Sequence, residues 1–219
     1  VVKANTGAPI FGTISGTAGG LVGINSGSIS DSFAKTGTVY GSTAGGLVGN
    51  NLSTGVLANT SAQGKVEISG SILNDGGLGG LVGINAGEIH KSSAQGDVSR
   101  SVTVTGTGHV GGLVGKNLSG GVISQSHAQG SVTETSVPPT LGYAGGLVGL
   151  NEGGSIVDVY ATGNVSSKQN GVGGLIGVNQ NSKLSNVYAT GSVNGVNDIG
   201  GLIGRNENSN LSDVYATGS

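Results

Sequence analysis

Gly19-Gly20-Leu21-Val22-Gly23-Ile24-Asn25 sets a pattern, Gly-Gly-Leu-Val-Gly-Xaa-Asn, that returns six more times along the 219-residue chain, with copies beginning at Gly45, Gly79, Gly111, Gly145, Gly173 and Gly200. Ile176 and Ile203 replace the valine in the last two copies. A stretch recurring at this period marks one supersecondary unit that is stacked rather than folded into a globule. Working outward from each copy, an apolar residue follows the asparagine: Ile29, Leu57, Ile89, Ile123, Ile156, Leu184 and Leu211. Five residues later an alanine stands in every unit: Ala34, Ala62, Ala94, Ala128, Ala161, Ala189 and Ala216.

A glycine follows two residues after that alanine in every unit but the first, and a valine two residues after the glycine, as in Val187-Tyr188-Ala189-Thr190-Gly191-Ser192-Val193. Period 2 is the signature of a strand with one buried face. It places Val187, Ala189, Gly191 and Val193 inward, with Tyr188, Thr190 and Ser192 outward. Leu184 has the opposite parity to Val187, so the chain must bend near Ser185 and Asn186 if both are buried. In the signature stretch the same rule sets Leu21 inward and Val22 outward.

Each unit then holds three short strands and three corners, and about 27 residues suits one three-sided turn. The fold predicted is all-β: a right-handed parallel β-helix, or β-solenoid, of about seven coils, the hand following from the usual sense of parallel crossovers. Residues 1–219 form a single repeat domain, with a partial coil over 1–18, where Ala4-Asn5-Thr6-Gly7 echoes Ala34-Lys35-Thr36-Gly37. The chain stops inside a repeat, at Ala216-Thr217-Gly218-Ser219, and reads as a piece of a larger protein.

Successive copies are 26, 34, 32, 34, 28 and 27 residues apart, so coils 2–4 carry inserts, at 67–75, 99–107 and 133–141. These are expected to stack as a side ledge, with Val102 and Val104 on a strand and as a candidate partner surface. Deletion of residues 100–106 is expected to leave the fold intact.

Forty-seven glycines, without the every-third-residue spacing of collagen, fit turns and close packing at fixed repeat positions. A formal net charge of -2 offers nothing to nucleic acid or to an anionic membrane. The chain has no cysteine, so no disulfide or thiolate metal site is expected. No apolar run reaches the roughly 20 residues of a spanning helix, and no insertion into a membrane is expected.

Stacked coils place each residue over its counterpart. The asparagines of the signature (Asn25, Asn51, Asn85, Asn117, Asn151, Asn179 and Asn206) are therefore expected to form a structural ladder of side-chain amides.

The pattern resembles the GLUG motif, named for its Gly-Leu-small apolar-Gly core. The motif recurs in bacterial surface proteins such as filamentous-haemagglutinin-like adhesins and the immunoglobulin A peptidases. The resemblance covers residues 19–219. It implies an extracellular or secreted repeat module; it does not imply catalysis, and no His-Glu-Xaa-Xaa-His is present.

No catalytic, cofactor-binding or metal-binding residue is expected. His90, His109 and His127 occupy three different repeat positions and read as solvent-exposed. Asp31, Asp158 and Asp213 share a position with Asn59, Lys91, Gln125 and Asn186, which reads as a polar corner. Asp158 and Asp213, two coils apart, have about the spacing of acid catalysis on a glycan, but nothing else converges on them. Sequons occur at Asn51, Asn59, Asn117, Asn164 and Asn210.

Tyr160, Tyr188 and Tyr215 form an outward column, continued by His127, Ser93, Ser61 and Phe33, and are a candidate ligand surface. Gln63, Gln95, Gln129, Thr162, Thr190 and Thr217 form a second polar column beside it. With valines outward, Val114 and Val148 would belong to an apolar stripe open to a partner or to self-association.

These features favour a non-catalytic stalk or passenger segment of an adhesin, meeting a host or neighbouring-cell receptor or glycan. A carbohydrate-binding or carbohydrate-processing β-helix is the alternative, and an ice-binding solenoid a lesser one.

Overall fold

The computed structural model describes residues 3–6, 10–11, 16–70, 76–103, 107–137 and 142–218. Its elements are all β-strands, and every pairing between them is parallel and in register from one coil to the next. Three sheets hold seven strands each and a fourth holds twelve. The echo at the N-terminus is a real rung: Ala4 pairs with Ala34 and Thr6 with Thr36.

The signature stretch is not one strand. Thr43–Gly45 ends one sheet, the chain bends at Gly46 and Leu47, and Val48–Asn51 belongs to another. Because the strand is broken at the bend, alternation does not carry across it, and leucine and valine both turn into the core. Leu47, Leu81, Leu113, Leu147 and Leu175 are fully buried, and so are Val48, Val82, Val114, Val148 and Ile176. This corrects the outward placement of the valines. Burying an aliphatic side chain of this size contributes about 1.5–3 kcal/mol, which explains why both positions are kept apolar.

The glycines make the bend possible. A Cβ at Gly45 would be driven into the carbonyl of Val48 in its own coil, and one at Gly46 into the carbonyl of Gly80 in the next, with the Ala62 Cβ at 2.9 Å. At Gly83 a Cβ would lie 2.6 Å from the Gly49 carbonyl and 3.0 Å from the Ala44 amide. The two strands therefore run back to back at a distance that only backbone atoms fill. This seam contacts two cores. One joins the signature Leu and Val to Leu57, Ile89, Ile123, Ile156, Leu184 and the buried alanines. The other joins Ala44, Leu78, Val110 and Val172 to Val39, Val66, Val98 and Val132.

The twelve-stranded sheet contains the bend expected near Asn186. Asp31, Asn59, Lys91, Gln125, Asp158, Asn186 and Asp213 all have φ between 47° and 54°. This left-handed kink lets Leu184 and Val187 both point inward. In the earlier coils the kink divides the strand, as between Glu88–His90 and Ser93–Ala94; in the last three the strand is continuous, as in Lys183–Ala189.

The residue after the kink accounts for the difference. Ser92 and Ser126 present hydroxyls that accept from the Thr60 and Ser92 backbone amides at 3.1 and 3.0 Å. Val159 and Val187 cannot do this, and the backbone ladder runs through them.

Left-handed backbone costs a side chain with a Cβ roughly 1–2 kcal/mol, a penalty that Asn and Asp partly escape by local hydrogen bonding. Lys91 is exposed at this kink. Lys91→Asn is expected to stabilise the fold by up to about 1 kcal/mol, measurable as a higher denaturation midpoint. An unchanged or lower midpoint would show that the kink carries no strain.

The ledge is an extension of one sheet. Lys65–Gly70 pairs with Val98–Val102 through Gly70 and Val102, and Val98–Val102 pairs with Val132–Glu134. Val102 is buried within it, so it is not a partner surface. Val104, and Pro138 and Pro139 of the last insert, lie outside the described residues.

Candidate functional site

The tyrosine column is present as expected. Tyr160 pairs with Tyr188 and Tyr188 with Tyr215. Ring centroids are 5.0 Å apart in both pairs, with planes within 6°. His127 extends the stack at 4.7 Å from Tyr160.

Each face of the inner rings is covered by a neighbour, so the column offers solvent its edges and hydroxyls. Beside it, Gln63, Gln95, Gln129, Thr162, Thr190 and Thr217 are all exposed. The two columns make one strip parallel to the solenoid axis.

Electrostatics follow from the stacking. Burial lowers the His127 pKa, and the Tyr188 phenol is raised above its ordinary value, first by desolvation and then by charge on Tyr160 and Tyr215. A histidine with a depressed folded pKa contributes its full stability above the unfolded value of about 6.5 and loses it as pH falls through the folded value. Acidification from about pH 7.5 to about pH 5 is thus expected to lower the melting temperature of the native chain more than that of His127→Tyr. Equal shifts in the two proteins would remove His127 from the account.

The valine stripe does not exist, since Val114 and Val148 are buried. Of the flanking apolar residues, Ile24 is exposed, Ile84 is half-buried, and Leu150 and Val178 are buried. Self-association has no support from that face.

His109 is likewise not exposed. It is buried and stacks on Tyr143 at 5.0 Å. The Tyr143 hydroxyl accepts from Arg205 at 3.3 Å, and the Arg205 guanidinium lies 5.7 Å from the ring centroid. Gly171, at φ 65°, leaves room for this ring: a Cβ there would sit 2.9 Å from Tyr143 Cδ1 and 2.7 Å from Val178 Cγ2.

The asparagine ladder is complete from Asn25 to Asn206. Each Nδ2 donates to the Oδ1 of the next asparagine at 2.8 Å. Several also donate to a glycine carbonyl in their own coil, as Asn51 does to Gly55 at 3.2 Å. The sequon residues Asn51 and Asn117 are therefore fully buried, with their amides consumed. Asn186 stands between Asp158 and Asp213 and donates to Asp158 at 2.6 Å, a side-chain bridge at a turn rather than a pair of convergent acids. Among the described residues no group of three His, Asp or Glu is placed to hold a metal.

One constellation was not anticipated. Arg100 and Glu134, in neighbouring coils of the ledge, are both buried and paired at 3.0 Å. Glu134 also accepts from the Ser136 amide at 2.7 Å. Arg100 donates to Ser136 Oγ at 3.3 Å, and its guanidinium lies against Gly108. Gln169 continues the polar interior, donating to the Ser136 carbonyl at 3.3 Å. The signal was present in the sequence: Val98, Arg100 and Val102 share one parity, as do Val132, Glu134 and Ser136. Two-residue alternation points both charges inward at equivalent positions.

Fold and side-chain ladders together define a parallel β-solenoid repeat protein. A family model, the GLUG motif, matches residues 74–99, 106–133, 140–166, 169–194 and 195–219, more than half of the chain. The chain belongs to the GLUG-motif family. The model marks five repeats; the signature copies at Gly19 and Gly45 lie outside the matched residues. Comparison with curated proteins and with solved structures finds no match.

Proposed function

We propose that the chain is a rigid, non-catalytic segment of a secreted or cell-surface bacterial adhesin, a stalk or passenger that presents or takes part in adhesion. The observation that carries this reading is the unbroken amide ladder from Asn25 to Asn206. Each signature coil is fastened to the next by the same side-chain bond, which makes a rod whose length scales with the number of repeats. The family's recurrence in surface proteins supports the extracellular setting.

A carbohydrate-gripping role is disfavoured because the faces of Tyr160 and Tyr188, which would stack on sugar rings, are already stacked on each other. The test is to delete whole coils from the parent protein and to replace them with an unrelated solenoid of equal length. A spacer role predicts that adhesion falls on deletion and returns with the replacement, and that the isolated segment stays blank on a glycan array. Glycan binding abolished by Tyr188→Ala would overturn it.

A further inference from the structure

Three of the five tyrosines stand in a single column, Tyr160, Tyr188 and Tyr215, with adjacent ring centroids 5.0 Å apart and planes nearly parallel. All three keep contact with solvent: Tyr160 and Tyr188 are half-buried and Tyr215 is exposed. The chain has no cysteine, methionine or tryptophan, the side chains that would otherwise compete for an oxidant. Phenols are therefore its principal reductants, and the fold holds three of them in contact.

We propose that this column is a site of oxidative cross-linking, at which a one-electron oxidant of the haem-peroxidase class joins Tyr188 to Tyr160 or Tyr215 as dityrosine.

The chemistry balances. Each of two neighbouring phenols gives up one electron and its phenolic proton, leaving a phenoxyl radical with spin density on the Cε carbons. The two radicals form one carbon–carbon bond between Cε atoms. Each coupled ring then loses the hydrogen on its bonded Cε and regains one at oxygen, which restores aromaticity. Hydrogen peroxide, the co-reactant, takes up the two electrons and two protons and leaves as two waters. Because the fold holds the rings in contact, coupling within one chain outruns diffusional encounter between chains.

The product is a covalent staple between successive coils, along the column where His127 and the three tyrosines run together. It resists peeling of those coils in the way a disulfide would, by closing a loop in the unfolded chain. The inference rests on the ring geometry and composition alone and stands whether or not the chain serves an adhesin.

The test uses the whole chain at high dilution with a haem peroxidase and hydrogen peroxide. The monomer is then isolated, digested and mapped by mass spectrometry, and its dityrosine fluorescence is recorded. The expected result is a linkage of two peptides with the loss of two hydrogens, joining Tyr188 to Tyr160 or Tyr215 in the monomer. Tyr188→Phe, which leaves the outer two rings separated by a full coil, should lose that signal, and Tyr40→Phe should keep it. The double variant Tyr160→Phe/Tyr215→Phe should lose it too, which guards against a folding defect peculiar to one substitution. Dityrosine found only in covalent dimers, or persisting in the Tyr188→Phe monomer, would overturn the proposal. So would its absence after the tyrosines have been consumed.

Discussion

Replacing Arg100 with alanine is expected to lower the stability of the chain by about 3–5 kcal/mol, the cost of leaving a buried partner charge uncompensated. Glu134 would keep its amide bond from Ser136 but lose the guanidinium, in a position almost closed to water. The paired replacement Arg100→Met/Glu134→Leu should recover most of that loss, because it removes both desolvation penalties and leaves apolar side chains of similar size. Guanidinium titrations of the three proteins decide the matter. A single variant as stable as the native chain, or a double variant worse than the single, would show that the pair is not the buried bond described. The same geometry reverses the expectation for residues 100–106. Their removal takes out Arg100 and the buried Val102, so the deletion should destabilise the ledge and the coils beneath it.

The second large effect is expected at Asn117→Leu. Three groups lose a partner: Asn85 Nδ2, Asn151 Oδ1 and the Gly121 carbonyl. Asn85 Nδ2 keeps its bond to the Gly87 carbonyl and the Gly121 carbonyl keeps the Ser155 amide, so Asn151 Oδ1 is the group left unsatisfied; one such buried group costs about 1–3 kcal/mol, and the misfit of a branched side chain in the ladder adds to that. Asn170, on the surface, accepts from Asn197 at 2.9 Å, and both side chains are exposed. Asn170→Leu should therefore cost far less, and comparable losses at the two positions would mean that burial is not what makes the ladder strong.

Much of this was legible in the sequence because the repeat reports its own geometry. Identical residues at equivalent positions stack, so the asparagine ladder, the tyrosine column and the buried leucines follow from register alone. The bend at the leucine was hidden by the same regularity. Gly-Gly-Leu-Val-Gly alternates acceptably as a single strand, and only the contact of the Gly45 position with the Val48 carbonyl shows that the chain folds back there. The error propagated to Val114 and Val148, whose outward placement depended on an unbroken strand. His109 was misplaced for a different reason: it and Tyr143 both stand two residues before a Gly-Gly and stack by register, but their counterparts Thr17, Thr43, Gly77, Gly171 and Asp198 carry no aromatic pattern that marks the position. The Arg100 and Glu134 pair obeyed the alternation rule and was missed because charged residues invite an outward reading before parity is counted.

The central claim is that buried side-chain amides, linked one to the next, hold the coils together. Hydrogen exchange of the asparagine side-chain amides, followed by NMR, tests it most directly. The account predicts strong protection of Nδ2 at Asn51, Asn85, Asn117 and Asn151, and rapid exchange at the exposed, unladdered Asn181. Rapid exchange at all of these positions, in a chain whose backbone amides remain protected, would contradict it.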